Sequence, residues 1–259
     1  MISRRKLLTA IAGLAGLASL QRVTRVQAQE SPGEKINGYD WTKHYYIFLV
    51  DTNKCIGCGR CVRACKIENE VPMTPFFFRT WVERWVWLEG HEEPNVDSPN
   101  GGFDGFPPKY DERTISKSYY VPKLCNHCDR PPCVQVCPVG ATYMTKDGAI
   151  LVDEKYCIGC RYCIQACPYG ARYLYPFDAP RETRRGTADK CTWCYHRITR
   201  GYKPACVEVC PTQARKFGDL MDPEDEVRKI IEEERVQVLK PEMGTKPKVF
   251  YIGLDSEVR

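Results

Sequence analysis

The sequence predicts an α+β fold made of two small tandem modules with a pseudo-two-fold repeat, a β-rich insertion and a C-terminal helix. The first observation behind this prediction is that the 16 cysteines of the 259-residue chain fall into four quartets. The second is that a short apolar, β-branched stretch leads into three of the quartets, as in a repeated strand–loop–helix unit. The third is the segment Cys-Pro-x-x-Ala, which closes three of the quartets. One structural unit is therefore used repeatedly.

The third quartet has the most informative spacing. It reads C-x2-C-x2-C-x3-C-P from Cys157 to Pro168, and this run holds a cubane iron–sulfur cluster in bacterial ferredoxins. The first three thiolates of such a run bind one cluster, while the fourth binds the neighbouring cluster. The second quartet, from Cys125 to Pro138, differs only in a longer gap between its second and third cysteines. Two such runs predict two clusters that exchange ligands, as in a tandem ferredoxin-like module.

The outer quartets repeat this theme with two departures. In the first quartet Lys66 stands where the other three have proline, and the fourth quartet is stretched by an eleven-residue loop. Sixteen thiolates, at four per cluster, fill four [4Fe–4S] clusters with none left over. The sequence therefore predicts that every cysteine is a metal ligand.

The assignment of cysteines to clusters follows from pairing the quartets in a nested order, the outer two together and the inner two together. A sequential pairing stays open. The nested order predicts a first ligand set of Cys55, Cys58, Cys61 and Cys210, a second of Cys65, Cys191, Cys194 and Cys206, a third of Cys125, Cys128, Cys133 and Cys167, and a fourth of Cys137, Cys157, Cys160 and Cys163.

Other uses of the cysteines and other functions fit less well. A disulfide framework suits an exported protein but does not repeat C-x2-C…C-x3-C-P. Zinc uses C-x2-C pairs but leaves the remaining cysteines of each quartet unexplained. The net charge of +5 comes from scattered basic residues, which does not suggest nucleic acid. The sequence has no Gly-rich phosphate loop, nucleophile elbow or histidine cluster, so we predict a non-catalytic electron carrier.

Residues 1–28 have the pattern of a twin-arginine export signal. Arg4 and Arg5 precede an apolar run of about fourteen residues, which is shorter than the roughly twenty needed to cross a bilayer. Ala28 ends a small-residue cleavage pattern, and the alternative is an uncleaved anchor. The twin-arginine route exports folded proteins, so we expect the mature chain in the periplasm or on the outer face of the cytoplasmic membrane.

The remaining domains follow in chain order. Strands are predicted at residues 44–51, 119–121, 149–153 and 249–254, and an amphipathic helix at residues 222–240. The predicted domains are a linker at 29–43, an outer ferredoxin-like module at 44–66 plus 190–221, an aromatic insertion at 67–118, an inner ferredoxin-like module at 119–189, and a C-terminal helix and strand at 222–259.

The aromatic insertion carries a row of large side chains, Phe76–Phe78, Trp81, Trp85 and Trp87, ahead of a Pro/Gly-rich loop at residues 94–108. We interpret it as a long hairpin or two loosely paired strands around that loop. Its aromatic side chains either dock a partner subunit or cover the cluster core, and the sequence leaves both open.

Two histidines and several basic residues stand beside the ligand cysteines. His127 and His196 invite a ligand role, but four thiolates already complete each cluster, so we predict that both are structural. Basic charge near a cluster stabilises its reduced state, although ordinary surface charge explains any single such residue equally well. The basic residues in question are Lys54, Arg60, Arg63, Arg161 and Arg172.

Together these motifs resemble the four-cluster iron–sulfur subunits of complex iron–sulfur molybdoenzymes. The resemblance covers most of residues 44–220 and is carried by CIGCGRCVRAC, LCNHCDRPPCVQVCPVGAT, CIGCRYCIQACPYGAR and KCTWCYHRITRGYKPACVEVCP. The tail VLKPEMGTKPKVFYIGLD is similar to that of tetrathionate reductase iron–sulfur subunits in particular. Members of this family pair their quartets in the nested order.

The resemblance implies an electron wire between two partner subunits. One is an integral membrane subunit that binds quinol, through which the chain is peripheral to the membrane. The other is a catalytic molybdopterin subunit or, alternatively, a multihaem cytochrome in a complex without molybdenum. A free ferredoxin-like shuttle is the remaining alternative.

Overall fold

The structure is a computed structural model that describes residues 38–179 and 181–258. The predicted export signal and the predicted linker up to residue 37 lie outside the described residues. The α-helices are Arg60–Glu68 (α1), Pro132–Gln135 (α2), Tyr162–Gln165 (α3), Tyr195–Ile198 (α4), Ala205–Glu208 (α5) and Glu226–Glu233 (α6). The strands are Tyr46–Asp51 (β1), Thr80–Leu88 (β2), Asn95–Asp97 (β3), Ile115–Leu124 (β4), Thr142–Met144 (β5), Ile150–Val152 (β6), Arg172–Leu174 (β7), Ala188–Lys190 (β8), Arg215–Asp219 (β9) and Val249–Ile252 (β10).

The first sheet has β1 at its centre, parallel to β10 and antiparallel to β9. All six residues of β1 are buried because the sheet is covered on both faces. Phe48 and Val50 belong to the main core, whereas Ile47 and Leu49 pack with Val227 of α6. A strand buried on both faces should read as a continuous apolar run, and YIFLVD does so up to its last residue.

The second sheet, in the order β3-β2-β4, is the aromatic insertion. Strands β2 and β4 pair antiparallel from Thr80 opposite Leu124 to Leu88 opposite Ile115, with one irregularity beside Leu88. The predicted hairpin is therefore confirmed, but its strands are closely rather than loosely paired. Strand β4 also runs across residue 118, so the boundary predicted between the insertion and the inner module falls inside a strand.

The tryptophans of the insertion face the protein. Trp85 is buried, and Trp81 and Trp87 are half-buried against the main core. Phe76, by contrast, is 88% exposed. The interpretation of the row as a cover for the core thus holds for its tryptophans.

The inner part of the fold consists of two short antiparallel ribbons, β5–β6 and β7–β8, next to the short helices α2 and α3. Strands β5, β7 and β9 each begin directly after a Cys-Pro-x-x-Ala segment. The internal repeat predicted from the sequence therefore has a structural counterpart. Together with the two larger sheets it makes the α+β fold that we predicted.

The C-terminal helix was predicted at residues 222–240, and this prediction was too long. Helix α6 begins where the Asp225 side chain accepts hydrogen bonds from the backbone N–H groups of Val227 and Arg228, the usual N-cap arrangement. It ends at Glu233, and Gln237 instead forms a β-bridge with Tyr251. Pairing with the first sheet thus replaces the last turns of the helix. None of the helices in the described part of the chain is long and apolar enough to cross a membrane.

Candidate iron–sulfur cluster sites

The cysteine loops are shaped by glycines that lie between the first two cysteines of a quartet. Gly57 and Gly159 have φ values of +66° and +67°, in the left-handed region that favours glycine. A Cβ atom at Gly159 would lie 2.2 Å from the carbonyl oxygen of Gly186, and one at Gly57 would lie 2.5 Å from the Tyr120 ring. The motif Cys-Ile-Gly-Cys therefore lets each loop pack closely against a neighbouring segment.

The first ligand set comes together around one cavity. Cys55, Cys58, Cys61 and Cys210 all line it, together with Arg215. Burial raises the pKa of Cys55 to about 11, and the neighbouring thiols of Cys61 and Cys210 contribute to the rise. The outer two quartets thus meet, as the nested order requires.

The second ligand set is wholly buried. Cys65, Cys191, Cys194 and Cys206 each fall in the buried class. Burial raises the pKa of Cys65 well above its usual value, and the nearby thiols of the other three raise it further. One cysteine of the first quartet therefore lies among three of the fourth.

The third ligand set draws on both inner quartets. Burial raises the pKa of Cys128 to about 12, and the thiols of Cys125, Cys133 and Cys167 add to this rise, while a hydrogen bond with Thr245 opposes it. The structure thus places Cys167 of the third quartet beside three cysteines of the second.

Fewer contacts bring the cysteines of the predicted fourth ligand set together. Cys163 shares a small apolar cluster with Cys133, and Cys157 packs against that cluster. The sulfur atoms of Cys137 and Cys157 accept hydrogen bonds from the backbone N–H groups of Thr142 and Ala188, at 3.4 and 3.3 Å. The membership of Cys137 and Cys160 in this set stays a prediction.

The four sets follow one another in a row. The thiol of Cys61 contributes to the raised pKa of Cys206, which links the first set to the second. In the same way the thiol of Cys125 contributes to the raised pKa of Cys191, which links the third set to the second. The third and fourth sets meet where Cys133 and Cys163 share one apolar cluster. Only Cys58 and Cys160 fall in the exposed class among the sixteen. With Cys160 in the predicted fourth set, each end of the row has one cysteine in the exposed class, and the second and third sets have none.

Several side chains beside these thiols were not predicted from the sequence. Asn69 directs its Nδ2 atom at the sulfur atoms of Cys65 and Cys194, at 3.6 and 3.5 Å. Two buried cations, Lys190 and Arg215, also lie among the cysteines. Arg215 could have been found, because it follows Cys-Pro-x-x-Ala as Arg172 does; Asn69 and Lys190 have no comparable sequence signal.

Each of the two histidines has a partner within the protein, which supports the structural role predicted for them. The Nδ1 atom of buried His127 accepts a hydrogen bond from the Ile150 N–H at 2.9 Å, while its Nε2 atom lies 3.0 Å from the Cys191 carbonyl oxygen. The ring stacks on Trp193 with 3.9 Å between the ring centroids. His196 is paired with Glu68 at 2.7 Å. Both nitrogens of His127 are thus already used.

The thiols fit iron–sulfur clusters better than disulfides or zinc. All sixteen cysteines are free, so the disulfide alternative is wrong. In the described ranges, no three His, Cys, Asp or Glu side chains are gathered closely enough to hold a single metal ion. A zinc ion draws its thiolates to about 2.3 Å from one centre, whereas the thiolates of a cubane bind four different iron atoms and stand further apart. Grouped but separated free thiols are the donor arrangement that a cubane needs.

Comparison with known proteins agrees with this geometry. Two families, each described as "4Fe-4S dicluster domain", match the chain at residues 54–141 and 116–220. A tetrathionate reductase subunit of Salmonella typhimurium is 41% identical over 219 residues, which cover 82% of this chain and 74% of the relative. This protein belongs to the 4Fe-4S dicluster family.

Two further relatives show the breadth of this dicluster family. A polysulfide reductase subunit of Wolinella succinogenes is 37% identical over 80% of this chain and 93% of its own length. Hdr-like menaquinol oxidoreductase iron-sulfur subunit 1 of Archaeoglobus fulgidus is 35% identical over 99% of this chain and 100% of its own length. The resemblance to four-cluster iron–sulfur subunits is therefore confirmed, as are four [4Fe–4S] clusters as the cofactors of this dicluster protein and electron transfer as its function.

Proposed function

We propose that this chain is the electron-transfer subunit that connects a membrane quinol-handling subunit with a catalytic subunit in a respiratory oxidoreductase. The observation that carries the proposal is the exposure of Cys58 and Cys160 in the predicted first and fourth ligand sets, at opposite ends of the row. An electron carrier between two fixed partners needs one accessible terminus for each of them. A diffusible shuttle needs only one.

The ligand assignment that we propose is the nested one, with four thiolates for each of the four clusters. A bound [4Fe–4S] cluster takes up and releases one electron. The chain contributes the thiolates, the hydrogen bonds to their sulfur atoms and the burial that keeps water from the second ligand set. With no acid–base pair or nucleophile assigned, substrate chemistry belongs to the partner.

For the catalytic partner we favour a molybdopterin subunit. Relatives of this chain are named as subunits of tetrathionate and polysulfide reductases, and of an arsenate respiratory reductase. The second candidate is a quinone–multihaem cytochrome complex without molybdenum. The full-length match to a subunit named for a menaquinol oxidoreductase supports the quinone-linked part of this candidate.

We further propose that residues 1–28 direct export by the twin-arginine route, so that the subunit acts in the periplasm or on the outer face of the cytoplasmic membrane. The paired arginines followed by a short apolar run support this location. Replacing Arg4 and Arg5 with lysine should keep the protein in the cytoplasm, as measured by fractionating the native host.

The experiment that tests the proposed function is anaerobic purification of the complex from its native host, followed by assays for iron, molybdenum, tungsten and haem. Molybdenum or tungsten with a large subunit supports the first candidate. Haem without either metal supports the second. A chain that carries iron but purifies with no partner contradicts both and identifies a free shuttle.

A further inference from the structure

Two buried arginines lie at matching places in the internal repeat. Arg172 and Arg215 each follow a Cys-Pro-x-x-Ala segment and each opens a strand, β7 and β9 respectively. They are 5% and 2% exposed. The equivalent position after the second quartet holds Thr142, so the repeat supplies two such cations rather than three.

Neither arginine has an acidic partner in the described part of the chain. Arg172 donates from Nη1 to the Thr142 hydroxyl at 3.3 Å and from Nη2 to the Cys133 sulfur at 3.1 Å. Arg215 donates from Nη2 to the Thr80 hydroxyl at 2.8 Å, while its Nε and Nη1 atoms have no hydrogen-bond partner among the described residues. An arginine side chain stays protonated in proteins, and burying an unpaired charge is costly. Some other negative charge must therefore compensate both guanidinium groups.

The thiols around each arginine belong to two consecutive ligand sets. Arg215 lies in the cavity of the first set, and it interacts electrostatically with Cys55 and Cys61 of that set and with Cys206 of the second. Arg172 interacts with Cys125, Cys133 and Cys167 of the third set and with Cys163 of the fourth. Each guanidinium thus stands at the junction of two sets that follow one another in the row.

Charge at such a junction has a defined effect. Reduction adds one negative charge to a cluster, and a nearby cation in a site shielded from water stabilises the charged state strongly. Because each arginine lies beside two clusters, it also reduces the electrostatic repulsion between those two clusters when both carry negative charge. Among the residues that the structure describes, no carboxylate balances the positive charge of either buried guanidinium. The negative charge of the neighbouring clusters would balance it instead.

We propose that Arg215 and Arg172 are potential-setting residues, each raising the reduction potentials of the two clusters beside it, the first and second for Arg215 and the third and fourth for Arg172. This inference rests on the proposed function, because it assumes that the four ligand sets carry clusters that exchange electrons. It divides the wire into two electrostatically matched halves. Each half contains one arginine from the repeat.

The test is an anaerobic potentiometric titration of the purified full-length holoprotein, followed by electron paramagnetic resonance. Arg215→Gln should lower two of the four midpoint potentials, and Arg172→Gln should lower the other two. We expect a shift of roughly tenfold in each reduction equilibrium, or about 59 mV for one electron. Arg215→Lys and Arg172→Lys, which keep the charge, should recover most of the shift.

A structural control separates charge from packing. Arg84 is also buried but is paired with Asp97 at 2.6 Å in the aromatic insertion. Arg84→Gln should destabilise the fold without moving any midpoint potential. If Arg84→Gln moves the potentials as much as the other variants do, or if the Arg215 and Arg172 variants move the same two potentials or none, the inference is overturned.

A second variant keeps the proposal testable if removal of an arginine prevents folding. Thr80→Asp places a carboxylate beside the intact Arg215 and should lower the same two potentials as neutralising that arginine. Thr80→Val removes the hydrogen bond without adding charge and should leave them unchanged. Equal effects of both Thr80 variants contradict a role for charge. Purification without a partner would refute the proposed function while leaving these shifts measurable.

Discussion

Arg79 and Asp189 form a buried two-point ion pair that joins the residue directly before β2 of the aromatic insertion to the inner ribbon β7–β8. The Arg79 Nε atom lies 3.0 Å from Asp189 Oδ2, and its Nη2 atom lies 2.6 Å from Asp189 Oδ1. The Nη1 atom of the same guanidinium donates to Asn69 Oδ1 at 2.9 Å, and Asn69 in turn contacts two cluster thiols. The pair therefore supports the second ligand set as well as the contact between the two parts of the fold.

Asp189→Asn should destabilise the protein by about 3–5 kcal/mol, because it leaves the charge of Arg79 buried without compensation. The double variant Arg79→Met with Asp189→Leu should recover a large part of that loss. Anaerobic urea titration, followed by the visible absorbance of the clusters, measures both. If the single and double variants lose the same stability, removal of side-chain volume rather than an uncompensated charge is the cause.

The same pair predicts how stability depends on pH. Burial works to raise the pKa of Asp189, but the nearby charge of Arg79 and its hydrogen bonds outweigh it and hold the pKa below its usual range. A carboxyl whose folded pKa is lowered stabilises the fold above its unfolded pKa of about 3.9, and this contribution is lost as the pH falls through the folded value. Urea midpoints of wild type and Asp189→Asn should therefore converge as the solution is acidified below that value. Midpoints that stay equally far apart at every pH would contradict this.

Lys66→Pro should destabilise the fold by about 3 kcal/mol or more, although it restores the proline of the other quartets. Helix α1 continues through Lys66 to Glu68, and the Lys66 Nζ atom donates to the carbonyl oxygens of Pro72 and Thr74 at 2.7 and 3.2 Å. Proline removes a helical hydrogen bond and both of these contacts. Lys66→Met, which keeps the helix, is the control in the same urea titration and should be less damaging.

Gly159→Ala should be more damaging than Gly170→Ala. The two glycines have φ values of +67° and +61°, but only at Gly159 would a Cβ atom meet backbone, the Gly186 carbonyl oxygen at 2.2 Å; at Gly170 nothing lies within 4 Å. Both variants therefore carry the same conformational cost of about 1–2 kcal/mol. The remaining difference between their free energies of unfolding measures the clash between the new Cβ atom at residue 159 and the Gly186 carbonyl oxygen. Equal losses would show that the cysteine loop can move away from Gly186.

Removal of iron should unfold the inner ribbons before the larger sheets. Strands β5–β6 and β7–β8 are isolated pairs, which are marginally stable in water, and two of the four buried residues in their small apolar cluster are the cysteines Cys133 and Cys163. The three-stranded sheets have apolar cores of their own. Hydrogen exchange after anaerobic chelation should therefore show protection lost first at residues 142–152 and 172–190. Uniform loss across all four sheets would indicate that the clusters hold the whole fold together.

Much of the site could be predicted from the sequence because ligand spacing is a local property. The loop Cys157-x2-Cys160-x2-Cys163 needs no distant contact to define it, and the repeated Cys-Pro-x-x-Ala segment marks the start of three strands. The tryptophan row was ambiguous, since an aromatic side chain reads the same in the sequence whether it covers a core or a partner. Which face of β2 is buried depends on the neighbouring sheet, and only the structure shows it.

The roles of the buried polar side chains could not be predicted from the sequence for a related reason. Asn69, Arg79 and Lys190 acquire their roles from partners more than a hundred residues away or from burial alone. The end of the C-terminal helix was predicted too late because the competing partner of Gln237 is a strand residue, Tyr251, which the local sequence does not reveal. A tertiary contact there overrides local helix propensity.

The position of β1 between β9 and β10 has a consequence for how the protein is made. The strand that leads into the first cysteine quartet gains one neighbour from residues 215–219 and the other from residues 249–252. During synthesis the segment around Cys55 emerges from the ribosome long before either neighbour exists. Contacts between such distant parts of a chain carry a loop-closure cost that slows their formation, and the sheet beside the first quartet is completed only once residues 249–252 have been synthesised. The proposed first ligand set likewise needs Cys210, so a cluster with all four of its thiolates can be inserted there only after that part of the chain has been made.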